Sequence, residues 1–355
     1  MRLICGVRAL LLITIVTSPS CMTTEVGNPT GSLGDLSVEE RVSDNRDNLS
    51  QRAGWKTAVA SEQTVFLSIS FRDAMNGIAS GSSEYYFVTA DGGMTWKKHK
   101  IRERNFESEE GEYSLVLSAV SSSGSIYAIG ALENSGSAIF SARAPNDPWN
   151  IDDKYLRQSL NDLSVIGDQA WVVGNGERFG YVLKTLDGIE WEKVWESNEH
   201  SLAGVSFLNE SVGWAVGGDG AILHTVDGGR TWTAQQSKQK ENLLSVAFAD
   251  PQNGYAVGVK GTILHTSNGG RTWEKQLSGT DNSLIRVAVA GSDVAWAIGQ
   301  DRMLLQTTDG GVNWKKSPLP SELNEYDANI YDITISGKKV WLATQSRIMV
   351  LEINR

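Results

Sequence analysis

Between residues 201 and 315, apolar and polar positions recur in one pattern. Leu243-Leu-Ser-Val-Ala-Phe248 is apolar enough for a buried inner strand, and Asp250-Pro-Gln-Asn-Gly254 carries turn residues. Tyr255-Ala-Val-Gly258 and Thr262-Ile-Leu-His-Thr266 are two further short strands. Asn268-Gly-Gly270 then turns the chain, and Trp273 opens a fourth, outer strand. Four antiparallel strands in about forty residues make one blade of a β-propeller.

The turn before the outer strand is the most regular part. It reads Thr89-Ala-Asp91-Gly-Gly-Met-Thr-Trp96, Thr185-Leu-Asp187-Gly-Ile-Glu-Trp191, Thr225-Val-Asp227-Gly-Gly-Arg-Thr-Trp232, Thr266-Ser-Asn268-Gly-Gly-Arg-Thr-Trp273 and Thr307-Thr-Asp309-Gly-Gly-Val-Asn-Trp314. The last four tryptophans stand 41 residues apart. A fixed period of this size marks a repeated supersecondary unit. The Asp or Asn oxygen is placed to accept backbone N–H groups, and the Gly residues tolerate positive φ. The Trp buries a large ring. These residues are expected to be scaffold.

A worn copy ending at Trp149 fills the long interval from Trp96 to Trp191. After Trp314 three strands follow: Ile330–Ile335, Val340–Ala343 and Ile348–Leu351. Trp55–Val59 supplies the missing outer strand. The expected fold is all-β, a seven-bladed propeller over residues 54–355, closed by an N-terminal outer strand in the last blade.

Two loops between Trp96 and Trp149 are enlarged, one between blades 1 and 2 and one near Ala131–Ser137. The segment Pro318–Asp327 is also long. All three open on the end of the ring away from the Asp turns, and a partner is expected there. Arg102, Arg104 and Phe106 lie in the first enlarged loop; Arg178, Lys260, Arg302 and Arg347 follow the second strands of four blades. Such a partial ring of positive charge would suit an acidic segment, although Glu177 and Asp301 weaken it.

Composition adds a compartment. Arg2 and Arg8 precede the short apolar run Ala9–Val16, and Ser18-Pro-Ser20-Cys21 follows, so residues 1–20 read as an export signal. Cys5 leaves with it, and Cys21 is then the sole cysteine. Residues 21–53 are polar and nearly free of aromatics, and are expected to form a disordered tether. The leader resembles a bacterial lipoprotein box, which implies lipidation of Cys21, although Ser18 stands where that box carries Leu. The expectation is an outer-membrane lipoprotein facing the periplasm or cell surface. Ordinary cleavage to a soluble periplasmic or secreted protein is the alternative. The net charge of −10 disfavours nucleic acid as a partner.

Catalytic chemistry finds little support. His224 and His265 hold equivalent places, but Val88, Lys184 and Gln306 occupy that place elsewhere, so no ring of metal ligands is expected. His99 and His200 fall in segments read as linkers. No cofactor, metal or catalytic set is expected.

Thr-x-Asp-Gly-Gly-x-Thr-Trp is the Asp-box, or BNR repeat, of sialidases and many other propellers. Combined with Gly213-Trp-Ala-Val-Gly217 and Ala221-Ile-Leu-His-Thr225, the repeats resemble the photosystem II stability and assembly factors. That resemblance implies a non-catalytic monomer that binds a subunit of a membrane complex. The competing class is a glycan-active or glycan-binding propeller. Sialidases use three arginines, a Tyr–Glu pair and an acid Asp; their early Arg-Ile-Pro segment is missing, with Ser70-Phe-Arg72-Asp73 the nearest stretch.

Overall fold

A computed structural model describes residues 54–102, 113–132, 136–177, 179–320, 323 and 329–353. They form seven four-stranded antiparallel sheets. Six run in chain order from the inner to the outer strand. Blade 1 comprises Phe66–Phe71, Gly77–Gly81, Tyr85–Thr89 and Lys97–Lys100. Blade 2 comprises Tyr113–Val120, Ile126–Leu132, Gly136–Ala142 and Asn150–Asp152. Blade 3 comprises Ser159–Ile166, Gln169–Asn175, Gly180–Thr185 and Glu192–Glu196. Blade 4 runs from Leu202–Phe207 to Thr233–Gln235, blade 5 from Leu243–Phe248 to Glu274–Gln276, and blade 6 from Leu284–Val289 to Lys315–Lys316.

Blade 7 joins the two ends of the chain. Ile330–Ser336, Lys339–Thr344 and Arg347–Glu352 are completed by Trp55–Ala60, which pairs antiparallel with the last strand. The expected closure is therefore present. Trp149 opens the outer strand of blade 2, as the worn copy predicted.

The core lies between blades, in one apolar cluster per interface. Second strands supply the large rings: Tyr127, Trp171, Trp214, Tyr255, Trp296 and Trp341 are all buried. Trp171 stacks on Phe207 of blade 4 at 3.9 Å, and Trp214 stacks on Phe248 of blade 5 at 3.5 Å. Trp341 carries the pattern across the closure, stacking on Phe71 of blade 1 at 4.8 Å. Gly93, at φ +80°, lies where a Cβ would strike that Trp341 ring, so glycine is required there.

One feature was not anticipated. Every inner strand carries a register shift near its start, between residues 66/68, 115/117, 160/162, 202/204, 243/245, 284/286 and 330/332. A bulge sharpens strand twist and re-aims the next side chain. It sets Ser68, Leu117, Asp162, Gly204, Ser245, Arg286 and Asp332 at equivalent places around the central channel.

Candidate functional site

The Asp turns spend their chemistry on themselves. In the blade 4 copy, Thr231 donates from its backbone N–H and its hydroxyl to the two oxygens of Asp227, at 2.9 and 2.7 Å. Thr225 Oγ1 donates to Asp227 and accepts from Gly229 N–H. Asp91 and Asp309 repeat this. The Thr and Asn donors hold Asp91, Asp227 and Asp309 down to about 2. In Asn268 the acceptor oxygen keeps the backbone bond while Nδ2 donates to Thr272 Oγ1. The short Asp187 copy caps Ile189 and Glu190 N–H, and those bonds lower its carboxyl.

The turn tryptophans differ in how they are held. Trp273 and Trp314 donate to Gln235 and Gln276, each on the outer strand of the preceding blade, at 3.1 and 2.8 Å. The same glutamines donate to Gly269 and Gly310 carbonyls. Trp232 bonds within its own turn, to Gly229 O. Trp191 packs edge-on against Tyr127. Trp96 has no indole partner among the described residues, although its ring meets Phe71 and Trp341 edge-on. The glutamine clamp was legible only as a second 41-residue interval, from Gln235 to Gln276.

The structure places the candidate partner residues on separate blades. Lys260 pairs with Glu241 at 3.0 Å. Arg302 reaches the Leu323 carbonyl at 3.3 Å, and Arg347 reaches Thr57 Oγ1 at 3.5 Å. Arg102 is exposed, and its carbonyl accepts Trp149 N–H. Cys21, Arg104, Phe106 and Arg178 lie outside the described residues. Near Ala131–Ser137 the strands of blade 2 themselves lengthen, pairing out to Leu132 and Gly136.

One reading needs correction. His99 is in the outer strand of blade 1, stacked on Tyr86 with Nδ1 2.8 Å from Asn146 Oδ1, and is not in a linker. Arg72 is consumed by Asp73 and by the Ser121 and Ser122 carbonyls. His224 and His265 sit against Trp214 and Tyr255, and burial lowers both. Among the described residues no three His, Cys, Asp or Glu side chains converge on a metal position.

The channel holds charged residues that the sequence reading passed over. Arg286 of blade 6 lies 3.8 Å from Asp332 of blade 7 and 4.0 Å from Asp162 across the channel on blade 3. Asp162 accepts Val205 N–H of blade 4, and Asp332 accepts Ile69 N–H of blade 1. Ser68 and Ser245 make the same bond to the next blade. Burial raises both carboxyls against the opposing pull of Arg286, Asp332 to about 6. The available signal was an ionisable residue within a mainly apolar inner strand for Arg286 and Asp332; Asp162 lies among Ser159, Asn161 and Ser164 and gave none.

These features define a seven-bladed Asp-box propeller. Residues 232–351 match the family described as "Photosynthesis system II assembly factor YCF48". YCF48 from Cyanidioschyzon merolae superposes with TM-score 0.62 at 18% identity, covering 85% of this chain and 99% of that one. A structure described as "YCF48 bound to D1 peptide" aligns with TM-score 0.41 at 17% identity, covering 85% and 96%. The WD40 propeller domain of Doa1 gives TM-score 0.61 at 11% identity, covering 83% and 97%. No curated protein matches the chain.

Proposed function

We propose that this protein is a non-catalytic scaffold of the cell envelope that binds a protein subunit of a membrane complex and assists its assembly. The match of residues 232–351 to an assembly-factor family carries this reading. It is supported by the Asp-turn carboxylates, whose oxygens are committed to turn donors. The partner docks on the end of the ring that bears the enlarged loops. The protein acts as a monomer held at the outer membrane through lipidated Cys21, with residues 21–53 as its tether.

Crosslinking from native membranes, with each captured peptide sequenced, tests the scaffold. Charge reversal at Lys260 and Arg302 should weaken capture of the same subunit by about tenfold. Loss only on substitutions at the Asp-turn end would overturn the choice of face. Turnover of sialyl or β-glucosyl reporter substrates would overturn the non-catalytic reading. Cys21→Ala should release the protein from membranes; unchanged fractionation refutes the anchor.

A further inference from the structure

A cavity of about 400 Å³ opens on the rim of blade 3, away from the channel. Phe179 and Tyr181 line it at the third strand, Lys193 and Glu196 on the outer strand, and Gln158 and Glu177 at the loops. Its size lies in the range of about 300–1,000 Å³ typical of small-molecule sites.

The outer strand is adapted to it. The pairing of Gly180–Thr185 with Glu192–Glu196 shifts register between Val182 and Leu183. Residues 193 and 196 would face opposite sides of a regular strand. The irregularity brings both to the pocket wall, where Lys193 Nζ meets Glu196 Oε2 at 2.8 Å. Tyr181 is 1% exposed, and its hydroxyl is buried without a hydrogen-bond partner. A buried hydroxyl left unpaired is costly and uncommon. Burial raises its pKa well above the usual phenol value, so the O–H stays intact and able to donate.

The lining chooses the ligand by elimination. Lys193 and Glu196 neutralise each other, and the remaining carboxylate, Glu177, is exposed, so an anion is repelled and a cation finds only a solvent-screened partner. An uncharged ligand with several hydroxyls can use all of these polar groups at once. Its O–H groups can donate to the carboxylates and to the Gln158 carbonyl oxygen. Its oxygens can accept from Lys193, from the Gln158 amide and from the Tyr181 hydroxyl. The half-buried Phe179 ring offers an apolar surface to the C–H face of such a molecule. We propose that this pocket binds a neutral polyhydroxylated ligand, a sugar residue. The protein-partner reading does not rest on it.

Ligand-observed NMR on the purified protein tests the assignment with glucose, galactose and N-acetylglucosamine as probes. At least one should bind, and glucosamine and glucuronate should bind at least about tenfold more weakly. Phe179→Ala and Glu196→Gln should each weaken binding about tenfold while leaving the thermal midpoint nearly unchanged. Tyr181→Phe should weaken it too, with its fold checked by the same midpoint. Tighter binding of N-acetylglucosamine oligomers would place the sugar in an envelope glycan; equal affinity for the monomer would make it a free saccharide. Absence of binding by all three neutral probes, preference for a charged sugar, or binding unaltered in Phe179→Ala and Glu196→Gln would overturn the proposal.

Discussion

At the scale of single residues, the recurring turn shows why side chains that look reactive are structural. Asp227 has both oxygens bonded to its own turn, and Asn268 fills the same place by donating where Asp accepts. Gln276 does comparable work from outside, holding Trp314 and the Gly310 carbonyl of the next blade. Gln276→Leu keeps the apolar stem and strands both partners. It should lower unfolding free energy by about 2 kcal/mol, read from chemical denaturation. Gln235→Leu should match it, because the geometry repeats. By the same measurement, Asp227→Asn should lower stability modestly at pH 7, where the charged acceptor is lost, and cost nothing near pH 2.

At the scale of elements, the joint between blades 7 and 1 deserves the severest test. Trp341 is 1% exposed and packs on Phe71 and Trp96 of blade 1. Trp341→Ala should destabilise by about 3–5 kcal/mol in equilibrium unfolding. An equal loss should follow from Trp171→Ala, which removes the same kind of stack between blades 3 and 4. The blades and their closure were legible because short strands, turn residues and the 41-residue spacing all report local geometry. The inner-strand bulges were not. A bulge changes register by one residue without altering composition, and Ser68, Gly204 and Arg286 share a structural place while sharing no chemistry. The rim pocket was hidden for a similar reason. Lys193 and Glu196 share its wall only because the outer strand of blade 3 shifts its pairing.

At the scale of the whole molecule, two sets of carboxylates respond to pH in opposite senses. Asp91, Asp227 and Asp309 sit near 2 in the fold, below the unfolded value of 3.8. Their stabilisation is present above that value and is lost as pH falls toward 2. Asp332 sits near 6, so its contribution is complete below 3.8 and disappears as pH rises through 6. Asp332→Asn keeps an acceptor for Ile69 N–H without the buried charge. Its thermal midpoint at pH 7.5 should exceed that of the parent, by up to about 3 kcal/mol of stability, and should vary less between pH 4 and about 6. Arg286→Ala should do the reverse, losing most stability at alkaline pH, where both channel carboxylates are ionised and unneutralised. The pairing of Trp55–Ala60 with Arg347–Glu352 also has a consequence for biogenesis. Synthesis proceeds from one end, so the earliest strand must wait for the latest. Blades 1 to 6 can form as the polypeptide emerges, but the seventh cannot be completed until translation has passed residue 352. Nascent chains stalled before that point should remain sensitive to protease at their leading edge, and folding yield should depend on whatever shields that waiting segment.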